Sequence, residues 1–281
     1  MTMRSYLECL GAVWRYRGYV PKAITPLRFL NWIKQFDSAD RNRVLRLLDN
    51  VVYFRESELK DILIQQNKAL LQRLLSAGLS PDNLIYVQVD DAGSSSPVML
   101  NMLRDAMGLE QRGCHLMDGK NVLGIAALTA HLGTGALIYV DDFVGSGHQL
   151  CAARDYVAAN TSGTFSEFAL IPTICEEGLV ELGKRGVEVY SGHLHSKADR
   201  PLHPNSPIFD RATKDRLVQI CNLIDPSVGI GYNNGAVMVV LYRGPPDNIP
   251  IIFRGSSTQA PYIGLFPRFS DLPLEPISGA P

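Results

Sequence analysis

Between residues 57 and 75 the apolar positions Leu59, Ile62, Leu63, Leu70, Leu74 and Leu75 recur at spacings near three, four and seven. That period places them on one face of an α-helix. Ser57 can cap its start, and Gly78 followed by Pro81 stops it, through the left-handed cap conformation and the missing proline N–H. Such a stripe is expected to form core or a subunit interface. The preceding segment also reads as helical, with aromatic residues at Trp14, Tyr16, Tyr19, Phe29, Trp32 and Phe36. Trp14 and Trp32 are expected as apolar anchors of helix packing. Residues 1–82 are thus expected to be a helical N-terminal region.

From residue 83 the period changes. Leu84 to Val89 is a short β-prone run, followed by Asp90-Asp91-Ala92-Gly93-Ser94-Ser95-Ser96-Pro97 and a helical pattern through Val98, Leu100, Met102 and Leu103. The same order of strand, loop and helix recurs in Ala136 to Val140, Asp141 to Gly147 and His148 to Ala159. It recurs again with Phe168 to Ile171 as strand, Glu176 to Lys184 as helix and Val187 to Tyr190 as strand. Apolar strands alternating with helices predict an α/β fold, a parallel sheet flanked by helices on both faces, because βαβ crossovers place helices there. Later, Ser206-Pro207 can open a helix reaching Ile224. Asn233-Asn234-Gly235 reads as a turn before Ala236 to Tyr242, and Ile249 to Phe253 as a last strand. The α/β domain is drawn over residues 83–270, and the proline-rich 271–281 as a flexible tail.

Composition narrows the classes. Of 281 residues, 46% are hydrophobic and 20% charged, which allows a packed core and excludes wholesale disorder. Lys+Arg 27 against Asp+Glu 28 leaves a net charge of -1, so no global basic field favours nucleic acid or an anionic membrane, and direct nucleic-acid binding is not indicated. Arg41, Arg43 and Arg46 share a helix without interleaved aromatics and read as a solvated face or partner contact. No segment approaches the roughly 20 apolar residues that span a bilayer, and the start carries Arg4 and Glu8, so secretion and membrane insertion are not expected. Five scattered cysteines without a CxxC pair fit a reducing cytoplasm.

The strongest chemical signal is Leu137-Ile138-Tyr139-Val140-Asp141-Asp142-Phe143-Val144-Gly145-Ser146-Gly147-His148-Gln149. An apolar strand, two acids, a Gly/Ser loop and a helix start gather loop N–H groups and a helix N-terminus around one point, where a phosphate is favoured. Two carboxylates beside a phosphate make sense if they accept hydrogen bonds from a sugar diol or hold a metal ion that bridges further phosphates. A ribose 5-phosphate meets both demands.

This run is similar to the phosphoribosyl-pyrophosphate motif of type I phosphoribosyltransferases. The resemblance implies that Asp141 and Asp142 bind the ribose hydroxyls while Gly145, Ser146, Gly147, His148 and Gln149 wrap the 5-phosphate. Ser146 stands where a Thr is usual, and Gln149 replaces a second. The phrasing of Phe29 to Phe36, Leu47-Leu48, the Gly93 to Ser96 loop and Pro245 to Phe253 further resembles phosphoribosyltransferase-like proteins of bacterial conflict systems, including retron and related anti-phage loci. That likeness spans residues 27–255 and implies a role as effector or effector-associated protein in a defence operon.

The first loop occupies the place where type I enzymes hold pyrophosphate, and Gly93, Ser94, Ser95 and Ser96 offer it hydroxyls and N–H groups. The alternative is that Ser96-Pro97 only caps a helix. Asp90 and Asp91 would need a metal to tolerate pyrophosphate, and Mg²⁺ is the expected ion. His193 and His195 lie two apart on one strand, as metal ligands can; without an evident third ligand they read as a surface pair. Lys120 is the convenient candidate for a catalytic cation, although Asp118-Gly119-Lys120 suits an exposed turn equally. Two functions follow. One is an enzyme that transfers a phosphoribosyl group or cleaves a nucleotide's glycosidic bond. The other is a binding module that senses such a ligand without turnover and docks a protein or nucleoprotein partner.

Overall fold

The computed structural model describes residues 3–89, 95–256 and 262–272. In chain order its elements begin with helices α1 (Met3–Arg15), α2 (Pro26–Lys34) and α3 (Arg41–Leu48), strand β1 (Val52–Phe54) and helix α4 (Glu56–Ser76). Next come β2 (Leu84–Gln88), α5 (Ser95–Met107), β3 (His115–Asp118), α6 (Val122–Leu132), β4 (Thr134–Val140), β5 (Phe143–Val144) and α7 (His148–Ala159). They are followed by β6 (Thr164–Cys175), α8 (Glu176–Lys184), β7 (Glu188–His195), α9 (Arg211–Ile224), β8 (Val239–Leu241), α10 (Ile251–Arg254), β9 (Gly255–Ser256) and β10 (Tyr262–Ile263).

The chain divides into two compact units, one of residues 1–56 with 197–281 and one of residues 57–196. The units therefore do not part at residue 82, where the helical region was expected to end. Helix α4 belongs with the sheet that follows it: Gln66 donates to the Ile171 carbonyl at 3.0 Å, and Asn67 accepts from the Tyr86 hydroxyl at 2.7 Å. The chain after residue 196 instead folds with the N-terminal helices.

In the 57–196 unit the sheet runs β3-β2-β4-β6, with β5 and β7 both pairing β6, and every pairing is parallel. Its central strands β2 and β4 are nearly continuous buried apolar runs because both faces are covered there, whereas β3 and β7 are polar and more exposed. Ile85, Val87, Leu137, Tyr139, Ala169 and Ile171 pack with Ile125 of α6, Leu150, Cys151 and Val157 of α7 and Leu182 of α8. Helix α4 buries Leu59, Leu63, Leu70 and Leu74 along its stripe, whereas Leu75 is exposed. It ends as expected, with Gly78 at φ +89° and Leu79 N–H returning to the Leu74 carbonyl. The α/β class of the sequence reading, a parallel sheet flanked by helices, is the class observed.

In the other unit, α1, α2, α3, α9 and α10 share one core with the parallel pair β1–β8 and the antiparallel pair β9–β10. Trp32 is fully buried, stacks on Phe253 and donates its indole N–H to the Ile252 carbonyl at 2.8 Å. Three expectations change here. Trp14 is no buried anchor, being 64% exposed. The later helix begins after Asp210, whose carboxylate accepts from Thr213 N–H at 2.8 Å, and not at Ser206-Pro207. Ile249 to Phe253 is no strand: Pro250 sets a turn, Phe253 N–H returns to its carbonyl, and the short helix α10 follows. Of the tail drawn at 271–281, residues 273–281 lie outside the described residues.

Candidate functional site

Open parallel sheets bind ligands beyond the carboxyl ends of their strands, at the point where the strand order reverses. Here β2 leads through α5 to β3 on one side, and β4 leads on to β6 on the other, so that point falls between β2 and β4. The two strands end level, with Gln88 paired to Val140. The loop after β2, which contains Asp90, Asp91, Gly93 and Ser94, lies outside the described residues. The loop after β4 begins with Asp141 and Asp142.

Asp141 is 7% exposed and Asp142 half-buried. Asp141 N–H donates to the Leu170 carbonyl at 3.3 Å, while its Oδ1 accepts from Asp142 N–H at 2.9 Å and from Ser95 Oγ at 3.2 Å. Phe143 and Val144 then join the sheet edge as β5, opposite Thr173 and Ile174. Gly145 and Ser146 are half-buried, Gly147 is buried, and His148 and Gln149 are exposed at the start of α7. The residue before α7 is Gly147, which has no side chain to cap the helix, and the helical ladder begins with Cys151 N–H donating to the Gly147 carbonyl at 2.8 Å.

Close backbone packing fixes this turn. Gly147 has φ +84°, and a Cβ there would lie 3.1 Å from the Gly178 Cα and 3.1 Å from the Glu181 Cβ. A Cβ on Gly178 would lie 2.7 Å from the Gly145 carbonyl oxygen. The loop rests on the first turn of α8 through two glycines, a role for Gly178 that the sequence shows only as a Gly after Glu176-Glu177. Below the turn, Arg154 of α7 pairs with Glu167, which also accepts from the Tyr139 hydroxyl at 2.9 Å. Hydrogen bonding to Glu167 raises the Arg154 pKa, and burial raises that of Tyr139, so this tie holds α7 to the sheet in fixed protonation states.

Ser95 and Ser96, both taken as ligand groups, diverge. Ser95 is half-buried and bonds to Asp141. Ser96 is fully buried: its Oγ donates to the Val140 carbonyl at 2.6 Å and accepts from Val89 N–H at 2.8 Å, tying the ends of β2 and β4 together. Its hydroxyl proton is engaged within the sheet. Lys120 follows β3 at the same sheet edge, where Gly119 N–H donates to the Gln88 carbonyl at 2.9 Å, and it is exposed. His193 and His195 share one face of β7 with ring centres 5.9 Å apart. His195 is fully buried, which corrects the surface pair expected. Among the described residues no group of three or more His, Cys, Asp or Glu side chains is placed to hold a metal. None of the described helices is long and apolar enough to cross a membrane.

A parallel sheet whose reversal point carries two acids, followed by a glycine turn and a helix, defines an α/β protein organised around loops at its strand ends. The chain belongs to the PRTase-CE family, whose model matches residues 29–268, and it is phosphoribosyltransferase-like. Among solved structures it is similar to orotate phosphoribosyltransferase from Aeropyrum pernix, at 16% identity over 49% of this chain and 69% of that one, with a TM-score of 0.34. It is also similar to the AQ2163 protein from Aquifex aeolicus, at 12% identity over 60% of this chain and 82% of that one, with a TM-score of 0.33. No curated protein matches it.

Proposed function

We propose that Asp141, Asp142 and residues 145–149 bind the ribose 5-phosphate of a phosphoribosyl-pyrophosphate-type or nucleotide ligand. The observation that supports this is the location of the twin acids at the end of β4, beside the reversal point between β2 and β4, with the glycine turn and α7 following them in the chain. Main-chain N–H groups of Gly145 to Gly147, the Ser146 hydroxyl and the first turn of α7 would take the phosphate, with the helix dipole contributing about 0.3–1 kcal/mol. Asp141 and Asp142 would accept the ribose hydroxyls.

Mg²⁺ keeps several waters and takes one or two carboxylates together with substrate phosphates. The Asp141–Asp142 pair offers carboxylates to such a shared cation, and Asp90 and Asp91, next after β2 in the sequence, are the further candidate ligands. Once bound, Mg²⁺ would neutralise a departing pyrophosphate. The chain's own contribution to phosphoribosyl transfer would be positioning the sugar and excluding alternative poses. The likeness to conflict-system proteins extends the proposal to a defence operon, as effector or effector-associated protein.

Ser96 favours a second reading. With its hydroxyl engaged by Val140, the pyrophosphate side of the site has one donor fewer, which suits a sensor that holds the ligand without turnover. Incubation with phosphoribosyl pyrophosphate, Mg²⁺ and a panel of bases separates the two: pyrophosphate release supports transfer, and binding without release supports sensing. Unaltered affinity in the Asp141→Asn, Asp142→Asn double variant would reject the site itself.

A further inference from the structure

The near-neutral total charge conceals a segregation. The 57–196 unit carries 16 Asp and Glu against 9 Lys and Arg, a net of -7, while the other unit carries 18 Lys and Arg against 12 acids, a net of +6. The excess is sharpest at the start of the chain. Between Cys9 and Phe36 stand Arg15, Arg17, Lys22, Arg28 and Lys34 with no Asp or Glu.

Several of these charges are ordered by neutral partners. Arg15 donates to the carbonyls of Asp49 and Val51 at 3.1 and 2.8 Å, and Arg28 to those of Leu265 and Gly264 at 3.0 and 2.8 Å. A carbonyl fixes a guanidinium without cancelling its charge, so the positive field persists. In the midst of it, at the end of α1, sits the exposed Trp14, with the Arg17 guanidinium 4.6 Å and that of Arg55 5.9 Å from its ring centre. Asp49, Glu56 and Glu58 are the acids that flank this patch in the sequence.

An exposed indole costs hydration, and cations held against it limit its rotation while offering charge beside a π-surface. Sequence-tolerant binding of single-stranded nucleic acid uses this combination: bases stack on aromatic rings or guanidinium planes while Lys and Arg follow the phosphates. We propose that Trp14, Arg15 and Arg17 form a single-stranded nucleic-acid site, separate in sequence from the 141–149 loop and independent of the ligand proposed there. Charge complementarity selects a polyanion, and the exposed ring selects one with bases.

The two tryptophans make the test direct. Trp32 is buried and hydrogen-bonded, so fluorescence changes on titration of the full chain report Trp14. A single-stranded DNA or RNA oligonucleotide of about 20 nucleotides should quench the signal, and log K should fall with log salt at a slope near -1.4, about 0.7 for each of two phosphate contacts. By anisotropy of a labelled oligonucleotide, Trp14→Ala should weaken binding about tenfold or more, while Trp14→Phe keeps most of it. Arg17→Glu should weaken binding and flatten the salt slope. Both positions lie on the surface, and unchanged circular dichroism guards against misfolding. Wild-type affinity in Trp14→Ala, or no binding at low salt, would overturn the proposal. Heparin binding as tightly as the oligonucleotide would reduce the patch to charge alone, and equal capture of poly-glutamate would assign it to an acidic protein partner; either result also overturns it.

Discussion

Ser95 Oγ donates a hydrogen bond to Asp141 Oδ1 across 3.2 Å, joining the first turn of α5 to the end of β4. The same oxygen accepts from Asp142 N–H at 2.9 Å, so the first of the twin acids is oriented from two sides before any ligand arrives. A hydrogen bond to a charged group is worth about 1.5–3 kcal/mol. Ser95→Ala should therefore weaken affinity for phosphoribosyl pyrophosphate about tenfold by isothermal titration calorimetry, and Ser95→Thr, which keeps the donor, should restore most of it. Wild-type affinity in the alanine variant would remove Ser95 from the site.

The neighbouring serine should behave differently. Ser96→Ala leaves the buried Val89 N–H and Val140 carbonyl without their partner, and each such loss costs about 1–3 kcal/mol. Urea unfolding should show a destabilisation of about 2–3 kcal/mol. A midpoint within error of wild type would mean that the ends of β2 and β4 are held together by other means.

Much of this site was legible in the chain, and the misses have physical causes. The helix from His148 to Ala159 and the strand ending at Val140 follow from strict periodicity and from the Gly147 break. Strand β5 was not legible, because Phe143 and Val144 become a strand only through pairing with Thr173 and Ile174, 30 residues away. The run Ile249 to Phe253 misled because a short apolar stretch has no period to tell helix from strand. Trp14 misled in the opposite sense: composition places tryptophan in cores, and only the assembled unit shows this ring in solvent between guanidinium groups. The charge segregation was hidden because the units are discontinuous in sequence.

Gly147 combines a left-handed backbone with a contact that leaves no room for a side chain. Gly147→Ala should cost about 1–2 kcal/mol from the backbone alone, and the added methyl, 3.1 Å from Gly178, must push the loop off α8. We expect ligand affinity to fall more than stability, seen as a loss of titration heat in a protein that still melts cooperatively. Undiminished binding would show that the loop has a second workable conformation.

Away from the site, Asp40 at the start of α3 is buried and held by Arg216 of α9 at 2.5 Å and by Arg43 at 3.2 Å. Hydrogen bonding to Arg216 lowers its pKa below the ordinary 3.8. A depressed folded-state pKa contributes stability above the unfolded value that is lost as pH falls through the folded one. Asp40→Asn should destabilise by about 2–3 kcal/mol at pH 7, and the gap to wild type should narrow below about pH 4 in acid melts. A gap that stays constant down to pH 2 would show that the carboxylate's charge is immaterial.

A ligand carrying a 5-phosphate and a pyrophosphate must approach a unit with a net charge of -7, beside the two carboxylates that follow β4. Loop N–H groups and the α7 dipole act on the 5-phosphate and leave uncompensated the repulsion between the twin carboxylates and a pyrophosphate in a partly buried site. Divalent metal should therefore be required for binding itself. In EDTA, affinity for phosphoribosyl pyrophosphate should drop at least a hundredfold, and added Mg²⁺ should restore it. Raising monovalent salt should recover only part of the loss, because screening acts weakly on buried pairs. Asp142→Asn should shrink the Mg²⁺ dependence from both ends, relieving repulsion in EDTA and removing a carboxylate from the shared cation. Equal affinity in EDTA and Mg²⁺ would mean that the anion is held by cations of the chain itself, and the twin acids would then need another role.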